Sequence, residues 1–166
     1  GAFRAAAAAS GIIGSMVQNF TGTNQSKGNQ IANHFIAVLP AHLVAPNQIT
    51  PARGSGYPDR LFSTGNVGYC MELKATANWN NHNTQRRVLT SSPRKMRSLV
   101  NSGDIGNPPA HLICTLLYSE PNPNQGRVDG VRLDFLEPDS AVDVVLEAST
   151  SQSHLHLGAH HKLTIP

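Results

Sequence analysis

The chain has 166 residues, 39 % of them apolar and 14 % charged, a length and balance that suit one folded domain and exclude a disordered chain. No apolar run reaches the roughly 18 residues of a bilayer-spanning helix, so no membrane partner is expected. The net charge of +3 is unevenly spread: residues 1–103 carry ten Lys/Arg and two acids, residues 104–166 three Lys/Arg and eight acids, and so basic a first part points to a polyanion such as nucleic acid, with drift of composition as the plainer alternative.

In chain order, the Ala-rich opening GAFRAAAAASGIIG lacks the features of a signal peptide. A first residue of Gly suits a residue left by cloning or a piece of a longer protein. Residues 10–20 and 28–39 read as helices, the second with Ile31, Phe35, Val38 and Leu39 on one face and with Pro40 and Pro46 to stop it. NQITPARGSG, 47–56, is loop by composition. A hairpin follows, with Leu61 and Phe62 on one arm and Tyr69, Met71 and Leu73 on the other. Gly65-Asn66 suits a two-residue type II′ turn between them. Ser92-Pro93 opens a basic helix that stops before Gly103. HLICTLLYS, 111–119, is a continuous apolar run, expected as a strand buried on both faces. SEPNPNQG is a turn-rich loop, and Arg127 to Leu136 alternates as a half-buried strand. Asp139 or Ser140 starts a short helix through Leu146, with strand as the competing reading, and the tail adds an edge strand. No repeat or linker divides the chain, so residues 1–166 are expected as a single domain of α/β class, a mixed β-sheet flanked by helices. Cys70 and Cys114 lie far apart without zinc-ligand neighbours, which suggests free thiols in a reducing cytoplasm.

The only acids in the basic part are Asp59 and Glu72, and both fall in the hairpin. Counting outward from a turn at Gly65-Asn66, Asp59 faces Glu72, with β-carbons about 5 Å apart. Glu72 and Lys74 are two apart on one strand and share that face. Opposed carboxylates repel unless a cation lies between them, and hard oxygen ligands suit Mg²⁺. Lys74 beside such an ion could hold an attacking water and stabilise charge building on a phosphorane. A solvent-facing hairpin with a weak Lys–Glu pair is the alternative.

Pro58-Asp59, then Glu72-Leu73-Lys74 after twelve intervening residues, resembles the PD-(D/E)XK nuclease superfamily. The compact length and the polar segments flanking a basic helix are most similar to the catalytic domain of type II restriction endonucleases. The motif covers residues 58–74; the downstream order is compatible with the superfamily's αβββαβ core. The resemblance implies an Mg²⁺-dependent, site-specific endonuclease that cuts double-stranded DNA to leave 5′-phosphate and 3′-hydroxyl in a prokaryotic cytoplasm. It implies metal ligands at Asp59, Glu72 and the Leu73 backbone carbonyl, with Lys74 activating water. Some members add a helix Glu for a second ion. No acid precedes Asp59 here, Gln30 or Asn33 being neutral substitutes, so a single ion is favoured. Cutting both strands suits a homodimer.

For DNA contact, residues 85–99 hold Arg86, Arg87, Arg94, Lys95 and Arg97, and Ser92 at a helix start could offer N–H groups to a phosphate. Asn81 and His82 lie in an Asn-rich segment that either reads bases or is ordinary loop. His154, His156, His160 and His161 are expected as surface or base-contacting groups rather than metal ligands, and Trp79 as a core anchor. Two other functions stay open: a repair or junction-resolving nuclease of the same fold, and a non-catalytic DNA-binding module.

Overall fold

The computed structural model describes residues 1–52, 58–65, 67–78, 101–106, 110–136 and 162–165, and the backbone alone of 86–90, 142–146, 152–157 and 161. The first helix, α1, is Ala2–Ser10 rather than 10–20. The alanine run has the highest helix propensity in the chain, and Phe3, Ala6 and Ala7 bury its inner face. Gly11 then takes φ 65 and its N–H bonds back to Ala7 O, closing the helix. Gly14 and Asn19 also have positive φ, and the intervening Met16–Gln18 is a short strand, β1.

The second helix, α2, is Asn24–Val38 and begins four residues before the expected start, because the Thr23 side chain caps it by accepting from Ser26 N. Ile31 and Phe35 are buried on its inner face, and Pro40 opens a 3₁₀ turn, Pro40–His42. The stretch expected as loop is instead a strand, β2, Asn47–Pro51. It pairs antiparallel with β3, Arg60–Thr64, from Asn47↔Thr64 to Pro51↔Arg60. Its one proline, Pro51, is the last residue of this edge strand, a position where a missing N–H is tolerated.

β3 turns into β4, Gly68–Thr76, with Arg60↔Met71 through Ser63↔Gly68 in register. Thr64 N donates to Val67 O at 3.0 Å, and Gly65 has the positive φ, 82, that a primed hairpin turn requires. Asn66 lies outside the described residues. The expected register is therefore the observed one.

β6, Ala110–Asn122, lies parallel to β4, and β7, Gln125–Leu136, lies antiparallel to β6. The segment expected as a turn-rich loop is mostly strand: β6 and β7 close through Pro123-Asn124, where Asn124 adopts φ 61. β1 and β10, His161–Ile165, both pair with β7. The result is a seven-stranded mixed sheet in the order β1-β7-β6-β4-β3-β2, with β10 also on β7. A separate three-stranded sheet holds β5, Arg86–Thr90, β8, Val142–Leu146, and β9, Gln152–Leu157. β8 replaces the short helix expected there; its β-branched valines favour the pleated pairing with β9. The predicted helix from Ser92 and Trp79 lie outside the described residues.

The main sheet has two unlike faces. Tyr69, Met71, Leu112, Cys114, Leu116, Val131 and Leu133 pack with Phe3, Ile31, Phe35 and Leu39 into the core. The alternate positions carry Glu72 and Lys74 on β4, Ile113 and Thr115 on β6, and Arg132 and Asp134 on β7. β6 is buried on both faces, as expected. β7 is more than half-buried: Asp134 is 0 % exposed and pairs with Arg132 Nη2 at 3.2 Å. Cys70 and Cys114 are buried and are not joined in a disulfide. Among the described residues, no helix is long and apolar enough to cross a membrane.

Candidate active site

The hairpin register sets Asp59 against Glu72, one step beyond the last paired position, Arg60↔Met71. Glu72 and Lys74 share the face away from the α1–α2 core, since the odd-numbered residues of β4 point into it. Lys74 Nζ lies 2.8 Å from Glu72 Oε1. Asp59 stands just before β3, and its Oδ2 accepts from Leu73 N–H at 2.9 Å. The Leu73 N–H and C=O belong to the same edge, because a residue of a strand sends both groups to one side. Register makes residue 58 the partner of Leu73. Proline has no N–H to give to that carbonyl, so Pro58 ends the ladder where the carboxylates gather.

The electrostatics are strained without a cation. Glu72 is 8 % exposed, and burial pushes its carboxyl up to about 7; Lys74 opposes the rise and Asp59 adds to it. Glu72 Oε1 takes the lysine, while Oε2 is buried and receives no hydrogen bond. Lys74 is paired with Glu72, the Asp59 carboxylate lies near enough to Glu72 to raise its carboxyl, and Glu72 Oε2 is left over. That is the condition a small divalent ion relieves. Among the described residues no three His, Cys, Asp or Glu side chains converge. The oxygen set is thus two carboxylates and the Leu73 main-chain carbonyl, which fits Mg²⁺ with its retained waters better than zinc.

An open cleft of about 310 Å³ borders this edge, lined by Asn29, Ala32 and Asn33 of α2 and by Asp59, Arg60 and Leu73. Gly28 lets α2 lie close over β4: a β-carbon there would sit 3.7 Å from Ala75 Cβ. Of the two neutral substitutes weighed from sequence, Asn33 reaches the cleft. Gln30 does not, since its amide donates to Thr21 O at 2.8 Å and to Ser26 Oγ at 3.3 Å. Asn29 was not foreseen; its signal was the four-residue spacing from Asn33.

The expected DNA contacts are not gathered at this edge by anything described. Arg86 and Arg87 lie on β5, opposite His156 and Leu155 of β9. Asn81, His82, Ser92, Arg94, Lys95 and Arg97 lie outside the described residues, as does His160. His154 and His156 are on β9, whereas His161 begins β10 in the other sheet. A second polar pair, Ser15 and His34 at 2.8 Å, is no nucleophilic site, because the Ser15 hydroxyl already donates to Ile12 O at 2.6 Å.

No family model, curated protein or solved structure matches the chain.

Proposed function

We propose that this protein is an Mg²⁺-dependent endonuclease of the PD-(D/E)XK kind that cuts double-stranded DNA at specific sites, as type II restriction enzymes do. The observation that carries the reading is the meeting of Asp59, Glu72 and Lys74 at the edge where β3 begins, with Lys74 Nζ 2.8 Å from Glu72 Oε1 and Asp59 on the Leu73 N–H. The element order supports it. α2, the antiparallel run β2–β3–β4 and then β6 parallel to β4 are compatible with an αβββαβ core.

In this reading Asp59, Glu72 and the Leu73 carbonyl hold the ion. When bound, the ion polarises a phosphate oxygen and acidifies a coordinated water. Lys74 orients the attacking water and stabilises negative charge as the P–O bond forms. The water oxygen bonds to phosphorus, the bond to the 3′ oxygen breaks, and that oxygen leaves with a proton. The products are a 5′-phosphate and a 3′-hydroxyl. Two copies of the chain would serve the two strands.

A supercoiled plasmid digested with and without Mg²⁺ tests the proposal. Discrete fragments with 5′-phosphate ends support it. Activity confined to branched or mismatched DNA replaces it with a repair or junction-resolving nuclease. DNA binding with no cleavage under any Mg²⁺ concentration replaces it with a binding module.

A further inference from the structure

The cleft beside Asp59 has a wall with its own chemistry. Asn29 and Asn33 are one helical turn apart on α2 and both are exposed. Neither amide is hydrogen-bonded to another group among the described residues, in contrast to Gln30 between them. Ala32 keeps the wall low, and Arg60 stands on the opposite side, its Nη1 donating to Asp59 O at 2.7 Å. No acid occurs anywhere in residues 1–58. The α2 wall therefore offers N–H donors, Arg60 adds a guanidinium, and the one carboxylate lining the cleft is that of Asp59. The cleft is open and holds about 310 Å³, too little for a duplex.

We infer that Asn29, Asn33 and Arg60 form a clamp for the DNA backbone on the α2 side of Asp59, the carboxylate that lines the cleft, while Glu72 and Lys74 lie on the other face of β4. The inference rests on the nuclease reading and names how that site would hold its substrate. The opposite occupant, a second divalent cation on the α2 side, would have a single carboxylate, Asp59, among its ligands. Amide and guanidinium donors suit phosphate oxygens instead. The amides contribute hydrogen bonds without charge, and Arg60 contributes charge as well.

The test is DNA affinity, measured by fluorescence anisotropy with a labelled duplex in Mg²⁺. It is done on Lys74→Ala protein so that the duplex stays whole. Asn29→Ala combined with Asn33→Ala should weaken binding about tenfold, from two lost hydrogen bonds. The slope of log affinity against log salt should not change, because no charge is lost. Arg60→Ala should weaken binding and also flatten that slope by about one. Asn33→Asp should weaken binding more than Asn33→Ala. Both alanine changes are at exposed helical positions where alanine is the better helix former, and circular dichroism checks the fold.

The clamp is overturned if the double variant binds DNA as its parent does, or if Asn33→Asp leaves DNA binding intact and tightens Mg²⁺ binding. If the wild-type protein cuts plasmid while the double variant binds normally, the clamp falls and the nuclease reading stands. If the wild type neither binds nor cuts DNA, both fall.

Discussion

Lys74 reaches back along its own strand to Glu72, Nζ to Oε1 at 2.8 Å, on the face of the sheet that the helical core does not use. The pair is set by the two-residue period of β4, and Asp59 joins it through the hairpin register. Lys74→Ala and Glu72→Ala should each lower plasmid cleavage by at least about a hundredfold, while duplex binding changes only a few-fold. Either variant cutting at the wild-type rate would remove these residues from the chemistry.

The burial of Glu72 has a signature in stability against pH. Its carboxyl titrates at 4.5 when unperturbed and about 7 in the fold. Between those values the folded protein keeps a proton that the unfolded chain has released. This carboxyl therefore makes stability without metal fall as pH rises through that window, while the His111 imidazole, held down to about 4 by burial, makes it rise between about 4 and 6.5. Glu72→Gln removes only the first effect, so the variant should gain stability relative to the wild type as pH rises to about 7 and melt higher at about pH 8 in EDTA. Mg²⁺ competes with the proton, so its stabilising effect should grow over the same window. Thermal unfolding with EDTA and with Mg²⁺ measures these effects, and a difference between wild type and Glu72→Gln that does not change with pH would contradict the raised carboxyl.

Two glycines should respond in opposite directions. A β-carbon on Gly68 would lie 2.6 Å from the Asp104 main-chain oxygen, so Gly68→Ala must displace backbone. It should destabilise by about 1–3 kcal/mol. Gly28 is in the middle of α2 with nothing nearer than 3.7 Å. Gly28→Ala should stabilise by about 1 kcal/mol. Urea unfolding of the two variants decides.

Thr115 is 2 % exposed and its hydroxyl is buried without a hydrogen-bond partner. Thr115→Val keeps the shape and removes the unpaired group, so it should match the wild type or gain up to about 1 kcal/mol. A loss of more than that in urea unfolding would show that the hydroxyl has a partner in solution.

The hairpin was legible because its information is local. A turn at Gly65 sets which residues face each other, and alternation then sets their side of the sheet. The buried run at 111–119 was legible because a strand covered on both faces has no polar positions to interrupt it. The helix read at 10–20 was wrong because Gly11 and Gly14 take positive φ and stop the alanine helix that precedes them. β2 was missed because NQITP has no alternation of its own. It is a strand because β3 offers an unpaired edge.

Charge along the chain by itself determined that Asp59 and Glu72 are isolated acids in a basic region, and spacing by itself determined that Lys74 shares a side with Glu72. The tertiary structure alone decided three further things. α2 lies over β4 so that Asn29 and Asn33 look onto Asp59. Glu72 is buried deeply enough to hold its proton near neutrality. Asp134, in a strand read as half-buried, has no exposure at all. Sequence records which side of a strand a residue takes, because the pleat repeats every two residues. It does not record what comes to cover that side, because covering depends on segments distant in the chain, and covering is what sets proton affinity and access.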